Sequence, residues 1–193
     1  MSRAGHLLEQ SARELAENLR SSSRLEAGIG MAAFNALLDV EEDRCREANA
    51  ESLILQAGSG RRVAVVGHFP FVERVRQHAG ECWVLELRPQ PGDAPAERAA
   101  ELIPRADVVA LSGTTLINHT FDALIELCRS DAFVLLVGAS APLAPVLFEC
   151  GVDAICGTRV VAVDDAVRAV SQGATFRQIP GRRPLSMLKG HAA

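Results

Sequence analysis

The chain contains no tyrosine, and its seven Phe and single Trp bring the aromatic share to only 4%. Proteins that bind single-stranded nucleic acid stack bases on aromatic faces, so this composition argues against that class. There is no excess of basic charge. Twenty Lys and Arg stand against 24 Asp and Glu, for a formal net charge of −4 and a pI near 5.7, which gives no general attraction to nucleic acid or acidic membranes. No apolar run reaches membrane-spanning length, and the opening MSRAGHLLEQ lacks the apolar core of a secretion signal. The expectation is a cytoplasmic protein with no nucleic-acid and no membrane partner. Five cysteines, an odd number with no C-x-x-C pair, indicate neither a disulfide framework nor a zinc knuckle. They read as reduced, mostly buried side chains.

What is present is enough apolar material for one folded domain: 193 residues, 48% hydrophobic and 23% charged. Residues 1–58 read as a helical N-terminal segment. Leu8, Ala12, Leu15 and Leu19 share one face of a helix from about Leu7 to Arg20, Ser21 to Ser23 break it, and Ile29 to Leu38 (IGMAAFNALL) forms a second, more buried helix. Asn35 is the strongly polar side chain of that helix, read first as a satisfied helix-contact amide. A charged connection over Glu41 to Glu47 and a short helix over Ala50 to Gln56 complete the segment.

Residues 59–193 then alternate strand and helix, the pattern of an α/β domain with a parallel sheet. The strands are Val63 to Val66, Cys82 to Leu87, Asp107 to Leu111, Phe133 to Val137 and Asp153 to Cys156. Helices are expected from Val72, Pro95, Thr120, Val146 and Asp164. The fold class is therefore α/β, a Rossmann-like parallel sheet of about five strands flanked by helices, expected in the order 3-2-1-4-5.

In such sheets ligands bind at the carboxyl ends of the strands near the switch in strand order. Three turns fall there: Gly67-His68-Phe69-Pro70, Ser112-Gly113-Thr114-Thr115 with Asn118, and Gly138-Ala139-Ser140-Ala141-Pro142. Their backbone N–H groups and hydroxyls suit a polar or anionic ligand, although Ser and Thr also cap helices. The dinucleotide fingerprint is absent, because Phe69 and Val72 occupy its second and third glycine positions. Glu86, 19 positions after Gly67, suits a ribose hydroxyl, or else pairs with Arg88 or stays solvated. His68 and His119 in the loops, with Glu86, offer nitrogen and oxygen donors for a transition metal ion if folding brings them together. Ser140 in GASAP does not match the G-x-S-x-G elbow of a serine hydrolase.

The motifs GIGMAAFNALL, VGHFPFVERV, the strand carrying Glu86, PGDAP, IPRADVVALSGTTLINHT and LVGASAPLAPVLFECGVDAICGT together resemble the putative heavy-metal chelation domain family, from about Gly28 to Gly173. The resemblance implies a Rossmann-like C-terminal domain preceded by an enolase-N-terminal-like domain, with the ligand site in the cleft between them. It carries a role to Gly67, Phe69 and Pro70 in the first turn, to Glu86, to Thr114, Thr115 and Asn118, and to Ser140 and Pro142. His68 and His119 neighbour these motifs. Only 27 residues precede GIGMAAFNALL here, so the N-terminal part is shortened relative to the family. A second subunit completing the cleft, in a homodimer, is the economical expectation.

The functional expectation is a protein that binds a small molecule or a metal. Two alternatives stand beside it: an enzyme acting on a nucleotide-like or S-adenosylmethionine-like ligand, and a non-catalytic structural or regulatory subunit.

Overall fold

The computed structural model describes residues 1–190, so the last three residues of the expected 59–193 unit lie outside the described residues. In chain order the strands are β1 (Cys45–Arg46), β2 (Arg62–Val66), β3 (Glu81–Glu86), β4 (Ala94–Pro95), β5 (Val108–Ser112), β6 (Phe133–Val137), β7 (Ala154–Val160) and β8 (Arg182–Leu188). The α-helices are α1 (Ala12–Glu17), α2 (Arg24–Leu37), α3 (Ala50–Gly58), α4 (Val72–His78), α5 (Ala99–Leu102), α6 (Thr114–Ile117), α7 (Phe121–Glu126) and α8 (Val163–Ser171). No helix among the described residues is long and apolar enough to cross a membrane.

One mixed sheet in the order β1-β8-β7-β6-β5-β2-β3-β4 organises the chain. The five expected strands are its parallel centre, from β3 through β2, β5 and β6 to β7. Numbered as expected from sequence, their order is 2-1-3-4-5 rather than 3-2-1-4-5. The physical reason lies in the strands themselves. Val108 to Leu111 are all buried, as a strand covered on both faces must be, whereas β3 carries exposed Glu81 and half-buried Cys82, Trp83 and Glu86. The more apolar strand takes the centre beside β2, and β3 lies near the edge, next to the two-residue β4.

Alternation within the strands builds a core on each face. On one side Val63, Val65, Val108, Ala110, Leu135 and Val137 meet Leu53 and Ile54 of α3 and Val72 and Val75 of α4. On the other, Ala64, Leu85, Val109, Leu111, Leu136 and Ile155 meet Leu102, Ile103, Phe121, Leu147 and Phe148. These are the two apolar layers of a doubly wound sheet.

Several expected elements take another form. The first helix breaks into a 3-10 turn (Leu7–Glu9), α1 and a second 3-10 turn (Asn18–Arg20), because Ser11 and Glu14 form a reciprocal capping box that restarts the helix at Ala12. The second begins at Arg24 rather than Ile29. The expected helix through Val146 is a 3-10 turn, Pro145–Phe148, and the loop after β5 contains the short α6. Strand β8 is added antiparallel to β7 and then to β1. Its Leu185 and Met187 alternate into the core around Ser186, whose hydroxyl donates to the Ala48 carbonyl. Pro184 is tolerated because β1 pairs only with Ser186 and Met187, leaving β8 an edge at the proline.

The amino ends of the central strands are tied by carboxylates. Asp107 accepts from the Arg62 backbone N–H at 3.0 Å, from the Arg62 guanidinium at 2.7 and 3.0 Å and from Arg129 at 3.2 Å. Asp153 likewise accepts from the Val134 N–H at 2.9 Å. The Arg62 hydrogen bonds hold the Asp107 carboxyl well below the usual carboxylate range. A depressed folded-state pKa contributes stability that is full above the unfolded value, near 4, and is lost as pH falls below it. Asp107→Asn therefore lowers the unfolding free energy at pH 7 by about 1–2 kcal/mol, the half-exposed Arg62 screening part of the pair. In urea titrations the gap to wild type narrows below pH 4.

Candidate functional site

Because β2 and β5 are neighbours that lead to opposite halves of the sheet, the switch in strand order lies between them, at the carboxyl ends where open α/β sheets take ligands. The expected switch, between the first and fourth strands, is therefore moved by one position. Three glycine turns line this end. Gly67 leaves β2 with φ of +104°, and a methyl group on it would lie 3.1 Å from Ser112 Cβ and 3.4 Å from the Phe69 ring. A methyl group on Gly113 would reach to 2.6 Å from Ala141 N and 2.9 Å from Ser140 Oγ. The turns after β2, β5 and β6 thus meet in one place, as expected. The half-buried Phe69 ring lies over Gly67 and near Gly138, and stacks on Phe71 with centroids 5.0 Å apart.

The polar groups around these turns are engaged with one another. The N–H groups of Gly67, Gly113 and Gly138 donate to the carbonyls of Leu85, Val137 and Cys156, so they extend the sheet rather than form an open anion cradle. The hydroxyls of Ser112 and Thr114 lie 2.8 Å apart, and Thr114 is exposed. Thr115 is buried, with its hydroxyl donating to the Ser112 carbonyl at 2.7 Å, which makes it a structural support. Asn118 accepts from Thr120 N–H and hydroxyl. The Ser140 carbonyl accepts from Asn35 of α2 at 3.2 Å. That bond lays the N-terminal helices against this end of the sheet. Pro70 is exposed and Pro142 buried. Glu86 accepts from its own following backbone, Leu87 N–H at 2.6 Å and Arg88 N–H at 3.4 Å, and from His68 N–H at 3.4 Å.

The two histidines part ways. His119, at φ of +59°, bonds through Nε2 with the Ser21 carbonyl and fastens the α1–α2 connection to the loop after α6. His68 instead places Nδ1 2.9 Å from Oδ2 of Asp93. Sequence reasoning missed Asp93. Its side chain has no solvent exposure, and it also accepts from Arg76 at 2.8 Å and from Gln90 N–H at 3.1 Å. Burial works to raise the Asp93 pKa, but the hydrogen bonds from His68, Gln90 and Arg76 outweigh it and leave the carboxyl below its ordinary value. The only sequence signal was the PGDAP link, where an acid follows a glycine of left-handed φ, +92° at Gly92.

A metal centre does not fit these residues. Among the described residues no three His, Cys, Asp or Glu side chains are grouped to hold an ion. Heavy metals favour thiolate, yet all five cysteines are free and separate. Burial pushes Cys82, Cys128 and Cys156 up to about 11.

The fold and site define a Rossmann-like α/β protein whose turns after three central strands meet at the switch point of a 2-1-3-4-5 sheet. The chain belongs to the family described as putative heavy-metal chelation, whose model matches residues 49–188, while a second model of the same description matches residues 1–38. An uncharacterized protein of Methanocaldococcus jannaschii is 30% identical over 150 residues, covering 74% of this chain. The chain spans 58% of that relative's length. A crystal structure of a protein of unknown function from the same family in Desulfitobacterium hafniense matches 92% of this chain and 74% of its own, at 28% identity and a TM-score of 0.79. A crystal structure of another protein of unknown function from the family, in Pyrococcus horikoshii, shares the fold, with a TM-score of 0.80 at 19% identity over 93% of this chain and 76% of its own.

The close approach at Gly113 gives a direct test of the joined turns. Gly113→Ala forces the Ser140–Ala141 backbone outward and costs about 1–3 kcal/mol in urea unfolding, with little change in far-UV circular dichroism.

Proposed function

We propose that the protein binds a small polar ligand in the crevice between the carboxyl ends of β2 and β5, bounded by the turn after β6. One observation carries this reading: the turns at Gly67, Gly113 and Gly138 converge beneath Phe69 at the switch point, the place where open α/β sheets take ligands. The Phe69 ring supplies an apolar wall. The Ser112 and Thr114 hydroxyls and the His68 ring supply a small set of polar contacts, the usual make-up of a small-molecule site. A metal ion enters only as cargo carried by such a ligand, since the side chains alone do not group around one.

A thermal-shift panel of nucleosides, S-adenosylmethionine and small polar metabolites, run beside Zn(II), Ni(II), Co(II) and Cu(II) salts, tests this reading. A polar organic ligand at a hundredfold excess over Kd stabilises by about 2.7 kcal/mol. The shift is lost in Phe69→Ala and reduced in Thr114→Val. Saturable stabilisation by a metal salt alone would instead make the protein itself the chelator. Silence across the panel, or a shift unchanged in both variants, sinks the crevice reading.

A further inference from the structure

We infer that the crevice ligand presents a polarised O–H or N–H group to His68, whose Nε2 is the proton acceptor and whose ring is set by Asp93 as the positioning residue. This rests on the crevice binding a ligand. The geometry begins at Asp93, which is wholly shielded from solvent and bonded to Arg76, Gln90 N–H and His68. An ionised carboxylate only accepts. The proton shared across 2.9 Å therefore sits on His68 Nδ1, because the other tautomer would set a nitrogen lone pair against a buried anion.

The neutral ring then carries its free lone pair on Nε2. That atom has no protein hydrogen-bond partner among the described residues, and the side chain keeps 27% of its surface open. The nearby carboxylate of Glu86 does not compete for the ring, since its contacts are to backbone N–H groups. His68 also follows directly on Gly67, at the carboxyl end of β2, the end of the sheet where the proposed ligand binds. When the ligand's O–H or N–H bond breaks, the new bond is Nε2–H, the electron pair stays on the ligand, and Asp93 balances the imidazolium. No oxidant or metal takes part.

The test is ligand-free. Long-range proton–nitrogen correlation spectra of the full chain labelled with nitrogen-15 at histidine, recorded over a pH series so that the neutral form is read from the ring shifts themselves, report which nitrogen carries the proton. The expected result is an Nδ1–H tautomer favoured by tenfold or more, about 1.4 kcal/mol, with that preference lost in Asp93→Ala. An aspartate that served only to hold its own loop, through Arg76 and the Gln90 N–H, would leave the tautomer ratio unmoved, and either that outcome or a dominant Nε2–H form in wild type overturns the inference while leaving crevice binding intact. If Asp93→Ala fails to fold, the wild-type spectrum decides by itself. An Nδ1–H tautomer with a silent ligand panel removes the ligand, and with it the acceptor's role.

Discussion

Arg62 and Asp107 meet at the amino ends of β2 and β5 and hold those strands in register by backbone and guanidinium hydrogen bonds. A register set at one end of two parallel strands is carried to the other by the rise of the chain. Gly67 therefore leaves β2 beside Ser112 at the end of β5. The meeting of the turns is the far consequence of this pairing. Because β3 turns to one side of β2 and β6 to the other side of β5, the connections diverge above the two strands, and the turns at Gly67, Gly113 and Gly138 pack together over their ends.

Most of this architecture was legible in the sequence, because five short apolar runs ended in turn residues and alternated with helical spacing. Strand order was not. Choosing between the two doubly wound orders required weighing Cys82 to Leu87, with its Glu86, against the fully apolar Val108 to Leu111, and only burial on both faces separates a central strand from one near the edge. The β8 strand escaped because Pro184 argues against a strand wherever both edges are paired, and pairing is a long-range property. The capping box at Ser11 was written in the sequence as S-x-x-E and was the cheapest signal missed.

The site was legible as a place rather than as chemistry. Gly67 lies against Phe69 and Ser112, Ser140 lies against Gly113, and Asn35 does serve as a helix-contact amide. Thr115, Asn118 and His119 are occupied in holding their own loops or the N-terminal helices. Asp93 was invisible because an acid in a Pro- and Gly-rich link normally caps a turn. Its distinction is full burial, achieved when the link folds under His68 and Arg76, and burial of a loop carboxylate leaves no local mark in the sequence.

The family description and these residues point to different roles for side-chain donors. Chelation of a soft ion calls for thiolates or several imidazoles converging within a few ångströms. Among the described residues no such group of three His, Cys, Asp or Glu side chains forms, and the two loop histidines are directed to different partners, one to a backbone carbonyl and one to a carboxylate. A carboxylate behind an imidazole serves either a metal ligand or a proton acceptor, since both need one nitrogen left bare. The difference lies in what surrounds that nitrogen. A metal needs further donors within reach, whereas a proton acceptor needs only a ligand group brought to it, and among the described residues no three His, Cys, Asp or Glu side chains group at His68 to hold an ion.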